Sequence, residues 1–354
     1  MKKILIAAAA ALALFSACNP KDTKLPRAKE SEITANVKQF DQVFYEVFHN
    51  LTEELHSLMV IKDGKVIYEQ YSTGHNAEEQ HVLWSATKTF TALAAGFARQ
   101  DGLLDVTDPV TKFCREGEIP AGRADSLSRI KIHNLLTMSS GLGDFDYVFD
   151  PMEDGTVNPV LSCLSSPIQV DPGTRFAYNN NDSHLAAICV SRAVGMKLRD
   201  YLDEKLFKPL GIRNYSWFED PCGNNIGSFG LYMTTESIGK VALFILQRGK
   251  WNGKQLLEES WFDLQTTEQI FQGIGNPDVK PEDIPVLHKE NDWSAGYGYQ
   301  MWMCKDGRGF RIDGANGQFG IVMPSKNAVA VMTSKCWNTL FEMDSFWRNV
   351  YDEL

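Results

Sequence analysis

The chain has 354 residues, 44% of them hydrophobic and 23% charged, with a formal charge of −10. That is ordinary globular composition, long enough for one large domain or two. No basic cluster stands out against the acidic balance, so nothing favours nucleic acid as a partner.

Residues 1–17 read as a targeting segment. Lys2 and Lys3 form a basic start, Ile4 to Phe15 an apolar stretch too short for a comfortable membrane span, and Ser16-Ala17 a small pair before Cys18. A small residue followed directly by cysteine resembles the lipobox of bacterial lipoproteins. That implies cleavage before Cys18, its acylation, and a membrane partner through the lipid anchor. The localisation expected is an exported cell-envelope lipoprotein, with plain secretion as the alternative. Loss of Lys2 and Lys3 takes the formal charge to −12. Residues 18–35, polar and carrying Pro20 and Pro26, read as a flexible lipidated tether. Six further cysteines follow (Cys114, Cys163, Cys189, Cys222, Cys304 and Cys336). Their irregular spacing, with no Cys-x-x-Cys pair, indicates neither a zinc ribbon nor a redox motif, and buried free thiols are expected.

Val37 to Leu55 carries apolar residues at helical spacing. Ser57–Lys62 and Lys65–Tyr71, split by Asp63-Gly64, predict a hairpin. Leu83 to Phe90 leads into an alanine-rich helix that Gly102 can stop. Ile130 to Leu142 predicts a short extended lead, a helical turn and a glycine stop. Asp171-Pro172-Gly173-Thr174 is a tight turn. Helices are expected from about Ser183 to Val194, from Tyr201 to Leu210 and from Thr234 to Gly249. Phe271 to Lys289, polar and proline-bearing, reads as a long surface excursion. Strands are expected at 296–303, 309–313, 318–323 and 328–334, then a closing helix from Phe341 to Tyr351. Strands at both ends with helices between predict an α+β fold. An antiparallel sheet (about 36–80 and 290–354) is flanked by N- and C-terminal helices, with an inserted, mostly helical part (about 81–289).

The chemistry centres on Ser85-x-x-Lys88. On a helix the two side chains share one face, and the first turn offers free N–H groups and the positive dipole end to developing negative charge. A lysine partly desolvated beside a serine can take the serine's proton as a neutral amine. The same spacing recurs at Ser128/Lys131 and Ser237/Lys240. The first reads as an extended segment and the second as an exposed turn of a helix, whereas Ser85 opens a buried-looking helix. A plain helix-capping serine with a surface lysine is the competing reading.

Proton transfer to the leaving group and oxyanion donors are still needed. Tyr178-Asn179-Asn180 is the only Tyr-x-Asn, and in an extended loop Tyr178 and Asn180 fall on one side. Tyr178 can shuttle a proton between Lys88 and Ser85, and Asn180 can orient Lys88 and bond a substrate ester or amide. A packed tyrosine beside a turn-forming asparagine cluster is the alternative. Ile312 to Gly320 is the candidate edge strand, its glycines suggesting close backbone approach; a bulge or simple hairpin is the alternative.

Together, Ser85-x-x-Lys88, Tyr178-x-Asn180, His133–Leu142, Leu206-Phe207-Lys208-Pro209-Leu210-Gly211 and Gly314–Gln318 resemble the motif set of the serine β-lactamase-related family. It includes class C β-lactamases, D-alanyl-D-alanine carboxypeptidases, family VIII esterases and nylon-oligomer hydrolases. The resemblance runs from about residue 38 onward. It implies a β-lactamase/transpeptidase-like fold, an acylated Ser85, Lys88 and Tyr178 as base and proton relay, and Asn180 as a positioning residue. It also implies an oxyanion hole at the amides of Ser85 and Ala315, with no cofactor and no metal. Where class C enzymes carry Lys-Thr-Gly, this chain has Ile312-Asp313-Gly314. The cation and hydroxyl that would grip a substrate carboxylate are missing, and Asp313 would repel one. The expectation is therefore a serine hydrolase acting on a small ester or amide, with a β-lactamase or carboxypeptidase, or a non-catalytic envelope-binding lipoprotein, as alternatives.

Overall fold

The computed structural model describes residues 22–143, 155–273, 279–290 and 292–354. The expected leader, Cys18 and residues 274–278 of the expected excursion lie outside these.

In chain order, helix α1 (Asp41–Leu51) precedes strands β1 (Glu54–Lys62) and β2 (Lys65–Tyr71). α1 stops short of the expected Leu55 because Thr52 turns left-handed (φ 54°) and Glu54 already pairs as strand. Asp63 and Gly64 both have positive φ, as a tight hairpin requires. Strand β3 (His81–Val82) leads into α2 (Thr87–Gln100). Short helices α3 (Ala124–Ser128), α4 (Ile132–Leu136) and α5 (Pro159–Ser165) follow, then α6 (Asn180–Val194) and α7 (Leu198–Leu202). Strands β4 (Tyr215–Trp217) and β5 (Leu231–Met233) precede α8 (Thr235–Leu246). A ribbon, β6 (Lys250–Trp251) and β7 (Lys254–Gln255), α9 (Glu259–Gln265) and α10 (Ile284–Glu290) complete the middle. The chain ends with β8 (Trp302–Met303), β9 (Phe310–Gly314), β10 (Gln318–Met323), β11 (Ala328–Lys335) and α11 (Thr339–Phe346).

The expected sheet from both ends of the chain is present. Six strands run in the order β2-β1-β11-β10-β9-β8, with antiparallel pairing throughout. Its two faces follow from a period of two. On β1, Met59 and Ile61 enter one core while Leu58 and Val60 enter another. On β11, Val329 and Val331 face the first, and Ala330 and Met332 the second. Burying each large side chain of this kind is worth about 1.5–3 kcal/mol. The second core is closed by Phe40, Val43 and Val47 of the N-terminal helix region and by Phe346, Trp347 and Val350 at the C-terminus.

Several expectations are corrected. The middle is not purely a helical cap, since β3, β5 and β4 form a small sheet within it. Helix α8 lies on the main sheet itself. A Cβ on Gly239 would lie 2.9 Å from Ile61 and 3.5 Å from Val331, so glycine is what allows that close seat. Residues 296–301 are not a strand: Gly298 is pressed onto the Gln265 carbonyl, where a Cβ would lie 2.2 Å away, and Gln300 turns left-handed. The expected excursion contains α10. Ser128 ends a helix rather than lying in an extended run, although Lys131 does bridge Pro109 as strand.

The largest correction concerns Ser237 and Lys240. Both are buried, and the stretch expected to be a loose tether docks on them. Asp22 accepts from Ser237 Oγ at 2.6 Å and from the amides of Arg213 and Asn214. Lys240 Nζ donates to the Gly211 carbonyl at 3.1 Å and to Thr23 Oγ1 at 3.4 Å. Leu25 N–H and Arg27 both reach Glu236. A helical face of serine, lysine and glutamate looks solvent-bound when only its own residues are considered; it is dry because distant charges meet it. The six described cysteines form no disulfide, and Cys222 is exposed rather than buried. Among the described residues, no helix is long and apolar enough to cross a membrane.

Candidate active site

Ser85 lies in a tight 3-10 turn, Trp84–Ala86, immediately ahead of α2 rather than within its regular turns. Trp84 is left-handed at φ 47°. A non-glycine residue held so costs about 1–3 kcal/mol, and the strain projects the neighbouring serine out of the helix line. Lys88, in the first turn of α2, is buried to 1% exposure. Its Nζ donates to Ser85 Oγ at 3.0 Å, to Asn180 Oδ1 at 2.8 Å and to the Ser228 carbonyl at 2.9 Å. The amine is therefore fixed on the serine oxygen by two other acceptors from two distant segments.

Asn180 is not in an extended loop. It is the first residue of α6, which Asn179 caps by accepting from the Asp182 amide at 2.7 Å. Tyr178 sits just outside that cap. The Tyr178 ring lies 5.0 Å from Lys88 Nζ and packs on Trp302 at 5.4 Å. One side of the ring faces the open cleft, at 37% residue exposure. The surrounding protein nevertheless raises the phenol well above its ordinary value by desolvation, against the opposing influence of Ser85. At neutral pH it keeps its proton and is a donor. The His133–Leu142 motif positions this tyrosine through backbone: Met138 O accepts from Ala177 N and Ser139 O from Gly173 N, each at 2.8 Å.

Opposite, β9 ends against the serine turn. A Cβ on Gly314 would lie 2.1 Å from the Leu83 carbonyl and 3.1 Å from the Ala86 amide. The close backbone approach at Gly314 is made by the turn that carries Ser85. Ala315, the next residue, is exposed at the cleft, in a turn where Asn316 and Gly317 take positive φ. Asp313 is buried and accepts from Arg311 Nε at 2.7 Å. Arg311 Nη1 also donates to the carbonyls of Met303 and Asp292, and its guanidinium lies over Trp293 and Trp302. Burial works against this cation, but Asp313 and the groups beyond it hold it above its already high ordinary value. The pair neutralises itself, so Asp313 is not the bare repelling charge expected from its position. Ile312 points into the core, so the position that carries lysine in class C relatives offers no cation here.

Ser228 and His184 escaped the sequence reading, as did the pairing of Arg311 with Asp313. Ser228 acts through its carbonyl, for which no side-chain pattern exists. Arg311 and Asp313, two apart on a strand, were bound to share a face, and that spacing was a usable signal. His184 was missed as well: its Nδ1 accepts from the Gly227 amide at 3.3 Å, which leaves its Nε2 proton for Asp220 at 3.1 Å. That chain anchors the segment whose Ser228 carbonyl holds Lys88.

A nucleophilic hydroxyl, a buried amine on it, a protonated phenol beside it and an abutting strand end can together carry acyl transfer. Comparison with known proteins identifies the family. The family model described as Beta-lactamase matches residues 50–352. A beta-lactamase of Pseudomonas fluorescens is 26% identical over 165 residues, covering 45% of this chain and 44% of that protein, so the match spans less than half the relative's length. A 6-aminohexanoate-dimer hydrolase of Paenarthrobacter ureafaciens is 21% identical over 297 residues, 78% of this chain and 72% of that one. The structure of a beta-lactamase/D-alanine carboxypeptidase from Yersinia pestis superposes with a TM-score of 0.67 at 22% identity, covering 91% of this chain and 98% of that one.

Proposed function

Because the chain belongs to the beta-lactamase family, we propose that it is a serine hydrolase cleaving a small ester or amide through an acyl-Ser85 intermediate. The observation that carries this reading is the 3.0 Å contact of Lys88 Nζ with Ser85 Oγ, held by Asn180 and Ser228. As a neutral amine that donates only to Asn180 and Ser228, Lys88 takes the proton of Ser85 as Oγ attacks the carbonyl carbon. The oxyanion is held by the amides of Ser85 and Ala315. Tyr178 gives its proton to the departing oxygen or nitrogen and recovers one, by way of Lys88, when water attacks the acyl-enzyme. Asn180 keeps Lys88 aligned and bonds the substrate.

The third motif favours a neutral or cationic substrate over a β-lactam or terminal D-alanine. Ile312 is committed to the core and Arg311 to Asp313, so neither supplies a cation for a substrate carboxylate. The aromatic cluster of Tyr178, Trp293 and Trp302 favours an apolar or flat acyl group. We further propose export and anchoring at Cys18. A purely binding role is disfavoured by the complete hydrogen-bond set on Lys88.

A fluorophosphonate probe followed by mass mapping tests the reading. Label on Ser85, lost in Ser85→Ala, is expected, and labelling that survives that substitution ends the proposal. A parallel panel of p-nitrophenyl esters, short amides and nitrocefin ranks the substrates. Nitrocefin as the best substrate would replace this reading with a β-lactamase.

A further inference from the structure

Away from the serine, three of the chain's seven histidines converge where β1, the loop after β2 and β3 meet. His56 occupies the irregularity in β1 between Leu55 and Ser57, where the pairing with β11 shifts register. Such a bulge re-aims one side chain. The His56 ring stacks on His75 at 3.9 Å, and His81 lies 5.6 Å from His56 and 6.1 Å from His75. Two carboxylates join them. His75 Nδ1 is 2.9 Å from Glu79 Oε2, and His75 Nε2 is 3.5 Å from Glu54 Oε1. One donor atom each from Glu54, His56 and His75 lies within 4.8 Å of the others.

Two nitrogens of this cluster have no hydrogen-bond partner. If His75 donates from Nδ1 to Glu79, its Nε2 lone pair faces the Glu54 carboxylate at 3.5 Å. His56 Nδ1 and His81 Nε2 are both buried without a partner, and His81 is only 6% exposed. A buried unpartnered nitrogen is costly. A proton on His75 would answer only the first of these defects and would place a cation against a stacked, neighbouring ring. Lys335 stands near His56 and opposes a cation there, whereas Glu54 and Glu79 favour it.

We propose that Glu54, His56 and His75 form a binding site for a divalent transition-metal ion of the zinc class, with His81 as a neighbouring third imidazole. Imidazole and carboxylate donors suit such an ion. Tetrahedral bonds of about 2.0–2.1 Å place ligand atoms about 3.3 Å apart, close to the His75–Glu54 separation. Glu79 on the far nitrogen of His75 fixes the tautomer, the usual task of a carboxylate behind a metal-bound histidine. The site is structural and lies apart from the serine chemistry, although His81 is four residues ahead of Ser85 on the strand that leads to it.

The test is titration of the chelator-stripped full chain with Zn²⁺ at pH 7.5, by calorimetry and thermal unfolding. One Zn²⁺ per chain and a Tm that rises with zinc are expected. Glu54→Gln, an exposed isosteric change, and His75→Gln should each weaken binding at least tenfold, with circular dichroism and the zinc-free Tm unchanged. Absence of stoichiometric binding overturns the proposal, as does binding by both variants equal to wild type. A Tm that responds to pH but not to zinc would assign the gap at His75 to a proton instead and overturn it equally.

Discussion

Gly314 has no room for a side chain beside Leu83: an added Cβ would lie 2.1 Å from the Leu83 carbonyl oxygen. Neither backbone can yield without moving Ser85 relative to Ala315. Gly314→Ala is therefore expected to lower the rate of Ser85 acylation about 10²–10³-fold, the cost of losing one oxyanion donor. Stopped-flow labelling with a fluorophosphonate reads this, and a rate within threefold of wild type would show that strand β9 does not set the oxyanion geometry.

Lys88→Ala should drop turnover by at least about 10²-fold on every substrate, since Lys88 is the amine held on Ser85 Oγ at 3.0 Å. The fold should survive. A Tm within a few degrees of wild type together with near-normal turnover would remove Lys88 from the chemistry.

Tyr178 is raised by burial and keeps its proton at neutral pH. Its task is then sharpest for leaving groups that need protonation. Tyr178→Phe is expected to slow an alkyl amide or alkyl ester about 10²-fold or more, and a p-nitrophenyl ester less than about tenfold. Equal losses on both would mean that the phenol acts on the nucleophile rather than on the leaving group.

Asp22 ties the N-terminal segment to α8. Burial opposes its ionisation, but Ser237, two backbone amides and Lys240 outweigh it and lower its pKa. A lowered carboxyl stabilises the folded state above its unfolded value, and that contribution fades as pH falls through the folded value. Asp22→Asn should cost about 1–3 kcal/mol at pH 7, with esterase activity retained and the difference shrinking below about pH 4. Urea unfolding at several pH values checks both the size and the direction.

Glu342 lies beneath the turn that carries Ala315, accepting from Ser334 Oγ at 2.7 Å and abutting Gly317. Burial is the main cause that raises it from 4.5 to about 8, with Glu53 and Asp313 adding to it and Ser334 and Cys336 opposing it. The raised value means that the folded state favours the protonated form. Its contribution is intact below about 4.5 and is lost as pH climbs towards 8. Stability should fall by up to about 1.4 kcal/mol per pH unit across that window from this group. Glu342→Gln should flatten the slope in Tm against pH, and a slope unchanged by the substitution would place the titrating group elsewhere.

Local patterns carried much of this protein. The Asp63-Gly64 hairpin, the end-to-end sheet and the glycine stops follow from period, turn chemistry and left-handed tolerance, all readable along the chain. So was the nomination of Ser85, Lys88, Tyr178 and Asn180, because their types and order match a family. Local context singled out Ser85 among the three Ser-x-x-Lys pairs, but only the folded chain showed what each pair meets. Ser85–Lys88 is held together because Asn180 and Ser228 arrive from afar to fix the amine, and Ser237–Lys240 became a dock because Asp22 and Thr23 meet it. Burial and hydrogen-bond partners are properties of residues far apart in sequence, so no local pattern encodes them. The same holds for Arg311 neutralising Asp313 between two tryptophans, and for three histidines from separate elements meeting beside two glutamates.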